Sequence, residues 1–236
     1  MSESIKIDVW SDIACPWCYI GKRKFEAGAA LAGVPVEIEY HSFELSPDTP
    51  VDFEGSHESY LSDRKGIPLE QARMMIQRVS DIAETVDLHY DYDALQHTNT
   101  VKAHQLIHYA KAHGRQLEMK ERLLDAYFVR GEHVGRIEDL ADIAAELGFD
   151  RADVVRALTT DEFLADVRAD QAQAIEYGIQ GVPFFVIDRK YGISGAQPAE
   201  VFGQVLERAW DESHPRLEHV GGPESTDACG PDGCEI

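Results

Sequence analysis

The chain carries a pair of cysteines, Cys15 and Cys18, that are separated by only two residues. They lie between a strand-like stretch, residues 5–10, and an apparent helix, residues 21–31. A thiol at a helix start is close to unpaired N–H groups and to the positive end of the helix dipole, which favour its thiolate form. We therefore expect Cys15 to be a nucleophile exposed on the first helical turn. Cys18, one turn further on, is placed to attack a mixed disulfide on Cys15.

The residues between the cysteines, Pro16 and Trp17, are predicted to contact the substrate. Pro16 suits the first helical position because that residue needs no N–H partner and its φ angle is already fixed. Two other interpretations of the cysteine pair are half of a zinc site and two inert core residues. No second Cys or His pair at ligand spacing lies nearby, and the pair stands at a helix start rather than within an apolar run. A redox pair is the interpretation that the sequence favours.

A second motif, Val182-Pro183, lies far downstream and directly precedes an apolar stretch. Residues 184–187 are all apolar, a polar turn follows, and residues 192–195 form a short partner strand. A proline before a buried strand indicates either a cis peptide bond or an ordinary trans proline that opens an edge strand. Because Pro183 has no N–H, it can approach the cysteine pair, and the backbone of Val182 can pair with an extended substrate segment.

Together, the two motifs resemble the DsbA family of thioredoxin-fold oxidoreductases, specifically its cytoplasmic FrnE-like branch. The similarity extends over roughly residues 5–210 and includes the stretch 99–104. It implies an α/β fold, a thioredoxin fold with a large all-helical insertion, in which a cis-proline loop faces the cysteines. Carried across, Cys15 is the nucleophile, Cys18 the resolving thiol and Pro183 the cis-proline. Trp17 departs from the histidine of the strongly oxidising periplasmic members, so no positive charge at this position lowers the pKa of Cys15.

The same superfamily resemblance includes 2-hydroxychromene-2-carboxylate isomerases and kappa-class glutathione transferases. A glutathione-dependent isomerase or transferase that acts on a small molecule is therefore the alternative to a protein thiol–disulfide oxidoreductase or isomerase. The second cysteine discriminates between them, because Cys18 has a role in exchange and none in glutathione-dependent isomerisation. We predict exchange with cysteine-containing client proteins or with glutathione as co-substrate, and no cofactor beyond the redox-active disulfide.

Composition restricts the other function classes. The chain has 236 residues and a formal net charge of −21, which argues against a nucleic-acid groove or an anionic membrane surface. No apolar run reaches the roughly 18 residues of a membrane span. The N-terminal residues lack the basic segment and apolar core of a signal peptide, although a mature secreted form would look the same. These observations predict a cytoplasmic protein with neither nucleic-acid nor membrane partners.

The predicted organisation has three parts. Residues 1–45 and 175–212 form a thioredoxin-like domain, residues 46–174 a helical insertion, and residues 213–236 a flexible C-terminal tail. Apolar periodicity predicts insertion helices over residues 68–86, 98–113, 117–130, 137–147, 151–158 and 161–177. Glycines near the ends of several of these helices act as stop signals. We expect the insertion to pack over the redox site and to determine which molecules reach it.

Three further residues are candidate auxiliary groups, namely Asp12, Asn99 and His104. Asp12 can accept a proton during exchange, oppose thiolate formation by like charge, or cap a turn. His104 and His108 are four residues apart on a helix, but no third ligand is evident, so we predict no metal site. A set of aromatic and sulfur-containing side chains either lines a peptide groove or belongs to the core: Phe43, Tyr60, Met74, Met75, Tyr127 and Phe128.

The tail contains a second cysteine pair, Cys229 and Cys234, on either side of a Pro-Asp-Gly turn. FrnE-like relatives resemble this chain in carrying a C-terminal cysteine pair. We therefore predict a second redox pair that exchanges with Cys15 and Cys18. A metal-binding tail and an inert terminus are the alternatives.

Overall fold

A computed structural model describes residues 4–215 of the chain. Its sheet contains β1 (Ile5–Ser11), β2 (Val36–Ser42), β3 (Phe184–Ile187) and β4 (Tyr191–Ser194). The strand order is β2-β1-β3-β4. β1 pairs in parallel with β2, whereas the β1–β3 and β3–β4 pairs are antiparallel. β1 is therefore an inner strand, and its C-terminal end is the point from which the cysteine motif starts.

The described part of the chain also contains nine helices. They are α1 (Pro16–Ala32), α2 (His57–Lys65), α3 (Leu69–Glu84), α4 (Val101–Ala112), α5 (Gln116–Phe128), α6 (Ile137–Glu146), α7 (Arg151–Thr159), α8 (Leu164–Glu176) and α9 (Ala199–Ser213). Helices α2 to α8 lie between β2 and β3 in the chain, so the structure confirms an α/β fold with a large helical insertion. The predicted domain boundaries stay a prediction. Within residues 4–215, no helix has the length and apolar character needed to cross a membrane.

Alternation along β1 explains why the sheet has two apolar faces. Ile7 and Val9 belong to the core that the sheet shares with α1 and α9. Trp10 belongs to a separate cluster that includes Ala174 of α8. Successive side chains of a strand point to opposite faces, so one short strand contacts both the α1/α9 layer and the insertion.

Helix α2 is the element that the sequence analysis does not predict. None of its residues is buried, so it lacks the apolar stripe from which helices are inferred. Local contacts hold it instead. The Ser56 hydroxyl accepts a hydrogen bond from the Ser59 N–H at 3.2 Å, and Arg64 forms an ion pair with Asp48 at 2.7 Å. The predicted glycine stops are confirmed, for example at Gly148, which follows α6 with a φ of +82°.

Helices α1 and α9 approach each other closely at Gly28. A Cβ atom at this position would lie 2.5 Å from the Ala199 carbonyl oxygen and 2.6 Å from Phe202 Cβ. These distances are shorter than a carbon contact allows, so only glycine fits between the two helices. Gly203, on the facing helix, has room for a methyl group, because its Cβ would meet no atom closer than 3.4 Å.

We predict that Gly28→Ala destabilises the fold by about 1–3 kcal/mol, because the added methyl group forces α1 and α9 apart. Gly203→Ala is the matched control, and its greater helix propensity should make it neutral or stabilising by about 0.5–1 kcal/mol. Urea unfolding of the two variants measures the difference. Equal stability of the two variants would contradict this account of the helix contact.

A buried cluster of histidines and carboxylates joins β2 to α4 and α8. The Asp170 carboxylate contacts His41 Nδ1 at 2.8 Å and His108 Nε2 at 2.9 Å, and accepts a hydrogen bond from the Ser42 N–H at 2.7 Å. His41 Nε2 also lies 3.0 Å from Asp8. Burial lowers the pKa of His41, but its hydrogen bonds to Asp170 and Asp8 raise it to about 9. The cluster therefore places a paired positive charge in the interior at neutral pH.

This cluster predicts a pH-dependent contribution to stability. The pKa of His41 is higher in the folded chain than the ordinary 6.5, so the contribution is complete below about pH 6.5 and is lost as the pH rises through about 9. The free-energy difference between the wild type and His41→Gln should shrink by up to about 3 kcal/mol from pH 6 to pH 10. Urea unfolding at both pH values measures it, with His89→Gln, at an exposed position, as control. A difference that is the same at both pH values refutes the assignment.

Candidate active site

The Cys15–Cys18 pair lies where β1 ends and α1 begins. Cys15 is the N-cap residue of α1, and Pro16 is its first helical residue, as the sequence predicts. The Cys18 N–H donates a hydrogen bond to the Cys15 carbonyl at 3.0 Å. Both cysteines are free thiols. The helix therefore starts at the motif itself, whereas the sequence analysis places the apparent helix from residue 21 onward.

The burial of Cys15 corrects a second expectation. The sequence predicts a thiol exposed on the first helical turn, but Cys15 and Cys18 are each only 3% exposed. Trp17, at 37%, is the exposed member of the motif. The reason is tertiary, because residues of the insertion and of the loop before β3 surround the first turn of α1.

The loop before β3 faces the cysteines. The Val182–Pro183 peptide bond is cis, which is one of the two backbone states that the sequence allows. The Cys15 thiol donates a hydrogen bond to the Val182 carbonyl oxygen at a distance of 3.5 Å. A Cβ atom on Gly21 of α1 would lie 2.9 Å from Pro183 Cγ, so glycine at this position lets the loop approach the helix. The backbone group that we expect to bind substrate is thus already in contact with Cys15.

Cys15 lines a cavity of about 430 Å³, together with Pro16, Trp17 and Val182. The structure therefore brings the predicted nucleophile and the three predicted substrate-contacting residues to one cavity. Much of the remaining wall comes from the insertion, including Ile76 and Val79 of α3. Access to the thiol is controlled by residues that lie far from it in sequence.

The aromatic and sulfur-containing side chains divide between the cavity and the core. Tyr60 and Met75 line the cavity, as the groove interpretation requires. Tyr127 and Phe128 are completely buried in the core of the insertion. Phe43 packs, partly buried, against the Trp10 cluster, and Met74 is 60% exposed on the surface.

The two thiols interact so strongly that they titrate as a pair. Interaction with Cys18, burial and the negative charge of Asp12 raise the pKa of the Cys15 thiol. Burial opposes ionisation of Cys18, but hydrogen bonding to Cys15 and the positive charge of Lys120 lower its pKa. The helix start leads us to expect that Cys15 ionises more readily than Cys18, but with both thiols reduced the opposite holds. The start of α1 favours the Cys15 thiolate, but the positive charge of Lys120, on α5 of the insertion, favours the Cys18 thiolate.

Lys120 is a site residue that the sequence analysis misses. It lies on α5, is 1% exposed, and its ammonium group stands 5.5 Å from the centroid of the Tyr40 ring. Burial lowers its pKa, while the charges of Cys18, Asp12 and Cys15 act in the opposite direction. A lysine on a helix usually lies in solvent, so no signal in the sequence distinguishes this one.

The Asp12 carboxylate fixes the turn that precedes Cys15. Oδ1 accepts hydrogen bonds from the Ala14 N–H at 3.3 Å and the Thr100 hydroxyl at 2.9 Å, and lies 3.2 Å from His104 Nε2. Oδ2 accepts a hydrogen bond from the Leu45 N–H at 2.8 Å. Burial raises the pKa of Asp12, but its interactions with His104, Leu45 and Thr100 lower it overall. This geometry favours the turn-fixing interpretation over a proton-accepting one.

The other two auxiliary candidates, Asn99 and His104, form hydrogen bonds to segments next to the site. The Asn99 amide donates hydrogen bonds to the carbonyls of Pro47 and Thr49, at 3.0 and 3.1 Å, and its Oδ1 accepts one from the Val101 N–H at 2.9 Å. His104 is buried against Asp12. Unlike Asp12, neither Asn99 nor His104 lines the cavity.

The two histidines considered as metal ligands lie within the described residues, whereas the second cysteine pair does not. His104 contacts Asp12, and His108 contacts Asp170, so the two histidines have separate partners. Residues 4–215 contain no cluster of three His, Cys, Asp or Glu side chains that could hold a metal ion. Cys229 and Cys234 lie outside the described residues, so their redox role stays a prediction.

Comparison with known proteins agrees with this geometry. Residues 6–207 match the DSBA-like thioredoxin domain family. The chain belongs to this family. The Bacillus subtilis (strain 168) protein YwbO is 30% identical to it over 209 residues, which cover 86% of this chain and 96% of that protein. The α/β thioredoxin fold with its helical insertion is thereby confirmed.

Among the solved structures that resemble this DsbA-like chain are an oxidoreductase and a disulfide reductase. A probable DsbA oxidoreductase from Streptomyces coelicolor superposes with a TM-score of 0.80 at 38% identity, covering 98% of this chain and 99% of that one. The cytosolic disulfide reductase DsbM from Pseudomonas aeruginosa superposes with a TM-score of 0.58 at 18% identity, covering 87% and 94% of the two chains. The second likeness shows a shared fold alone.

We predict that Lys120→Met raises the pKa of the first thiol ionisation, because a positive charge that favours the Cys18 thiolate is removed. The reduction potential should become more negative, since the reduced form loses stabilisation. Ultraviolet absorbance of the thiolate as a function of pH and equilibration with a glutathione redox buffer measure the two changes. Lys111→Met, at an exposed position, is the matched control. Identical titration curves for the two variants would show that Lys120 does not influence ionisation of the thiols.

Proposed function

We propose that this DsbA-like protein is a thiol–disulfide oxidoreductase that uses Cys15 and Cys18 to exchange disulfides with cysteine-containing substrates. The observation that supports this proposal best is the position of the Cys15 thiol. It donates a hydrogen bond to the Val182 carbonyl of the cis-proline loop, 3.5 Å away, and both residues line the cavity. A substrate sulfur that enters the cavity can therefore reach Cys15 beside a backbone suited to an extended chain.

The proposed exchange proceeds in two balanced steps. In the reductive direction, the Cys15 thiolate attacks one sulfur of a substrate disulfide. A Cys15–substrate disulfide forms, the substrate disulfide breaks, and the other substrate sulfur leaves as a thiolate. The Cys18 thiolate then attacks Cys15 Sγ and releases the remaining substrate sulfur as a thiolate. Two electrons pass to the substrate, and a Cys15–Cys18 disulfide is left. In the oxidative direction the same steps run in reverse, and no bound cofactor is needed.

Lys120 gives the second cysteine its proposed role. A buried positive charge near Cys18 stabilises the thiolate that attacks in the second reductive step, or leaves in the first oxidative one. The glutathione-dependent isomerase alternative assigns no task to Cys18 or to this charge. The cavity volume of about 430 Å³ is that of a small-molecule site, which favours glutathione or a similar thiol as an exchange partner beside client proteins.

Two finer assignments belong to the same proposal. We place the protein in the cytoplasm and in the FrnE-like branch, in keeping with its cysteine motif and with the cytosolic reductase that shares its fold. Cysteine-containing client proteins and glutathione are its proposed partners.

Insulin reduction, run beside a glutathione-adduct assay, tests the function. Cys15→Ser should reduce turnover to the uncatalysed background, because it removes the attacking sulfur. Cys18→Ser should accumulate a mixed disulfide on Cys15 that mass spectrometry detects, because the resolving step is lost. Full insulin reduction by Cys15→Ser would contradict the proposal. So would a wild-type protein that isomerises or conjugates a small molecule with glutathione and leaves disulfides unchanged.

A further inference from the structure

Two histidines line the same cavity as Cys15 and have no part in the exchange described above. His57 begins α2, and His97 lies in the segment before α4. His57 Nδ1 and His97 Nε2 are buried and have no hydrogen-bond partner among the described residues. Buried polar atoms in native structures are nearly always paired. Two unpaired ring nitrogens beside one cavity therefore indicate that a ligand supplies the missing partner.

The contacts of His97 determine which group it offers to a ligand. His97 is 5% exposed, and its Nδ1 lies 3.1 Å from the hydroxyl of Tyr127. Because the fully buried Tyr127 hydroxyl needs an acceptor, we assign Nδ1 as that acceptor and Nε2 as the nitrogen that carries the proton. Burial lowers the pKa of both His57 and His97 to about 4. At neutral pH, His97 is thus an uncharged N–H donor that requires an acceptor.

Aromatic neighbours hold the two imidazole rings in place. The centroid of the Tyr60 ring lies 3.5 Å from that of His97, and the centroid of the Tyr92 ring lies 5.1 Å from that of His57. The two histidine centroids are 5.7 Å apart. Both rings are therefore close enough to contact one small polar group, and packing limits their rotation.

The charges of the cavity indicate the sign of that group. Arg64 and Lys65 line it, and Arg64 also forms an ion pair with the exposed Asp48 at 2.7 Å. Asp12 is the one acidic residue among the described lining residues, and its hydrogen bonds are already satisfied. In a chain with a net charge of −21, a cavity with this lining is an exception. The uncharged N–H donor of His97, the unpaired ring nitrogen of His57 and two cationic side chains in one cavity suit a carboxylate.

We propose that His57 and His97 form a subsite, beside Cys15, for a carboxylate group of a low-molecular-weight thiol or disulfide. This inference rests on the proposed exchange function, because it names the class of small substrate that Cys15 meets in the cavity. The chemical step is the same thiol–disulfide exchange as above. A bond forms between Cys15 Sγ and one substrate sulfur, the substrate disulfide breaks, and the other half leaves as a thiolate that takes a proton from water.

The test compares two disulfides of the same skeleton, glutathione disulfide and its carboxyl methyl ester, in a Cys18→Ser background. Mass spectrometry follows the rate at which each forms a mixed disulfide on Cys15. We expect the acid to react about tenfold faster than the ester, because hydrogen bonds to a charged acceptor are stronger than those to a neutral one. His57→Phe and His97→Phe keep the aromatic packing and should each lower this ratio severalfold. His89→Phe, remote from the cavity, should leave it unchanged.

Each outcome separates the subsite from the exchange function. If neither disulfide reacts with Cys15 while the wild type still reduces insulin, the subsite is refuted and exchange with client proteins stands. If insulin is not reduced either, the proposed function itself is wrong. If the ester reacts normally but the acid has no advantage, or keeps its full advantage in both histidine variants, the subsite is refuted and exchange stands. The ester rate also shows that each variant is folded. An acidic peptide disulfide should be insensitive to both substitutions, and sensitivity equal to that of glutathione disulfide would overturn the small-molecule assignment.

Discussion

The buried Asp12 carboxylate, directly before the cysteine motif, is the contact on which the geometry of the site depends. It joins three parts of the chain, because its oxygens accept hydrogen bonds from the Leu45 N–H after β2, from the Thr100 hydroxyl at the start of α4, and from the turn itself. His104 provides a further contact at 3.2 Å. Removal of this carboxylate would leave several buried donors without an acceptor, which is more costly than the loss of one ordinary hydrogen bond.

The same carboxylate has an electrostatic consequence for the redox pair. Its negative charge raises the pKa of Cys15, while the positive charge of Lys120 lowers that of Cys18. These two buried charges add to the mutual interaction of the thiols and to their burial, and both favour ionisation of Cys18 over that of Cys15. A proximal negative charge in a low-dielectric site is effective because little solvent screens it. The helix start still contributes, but it acts together with two charges of opposite sign.

The helical insertion supplies both the support and the selectivity of the site. Its helices α4 and α8 are tied to β2 through Asp170, so the buried histidine cluster holds the insertion against the sheet. Helices α2 and α3 contribute the cavity wall opposite Cys15, including His57 and Met75. The part of the chain that distinguishes this protein from a minimal thioredoxin fold therefore forms much of the cavity that Cys15 lines.

The sequence by itself determined the elements whose signals are local. Two cysteines at a strand–helix junction, a proline before an apolar strand and regular apolar stripes were sufficient to predict the position of the cysteine pair, the loop that faces it and most helices. The resemblance carried by these motifs identified the family. Local signals also explain the omission of α2, because a helix without buried residues has no apolar period to detect.

Only the tertiary structure decided the burial of Cys15, the order of the two thiol pKa values and the composition of the cavity. Lys120 lies about a hundred residues from the motif in sequence, and His97 lies about eighty residues from it. Their residue types indicate nothing about burial. Electrostatic interaction and desolvation depend on distance in space, which the fold sets through contacts between residues remote in sequence. For this reason the spacing of the pair supports a proposal about its chemistry, whereas the pKa values of its two thiols could not be predicted from the sequence.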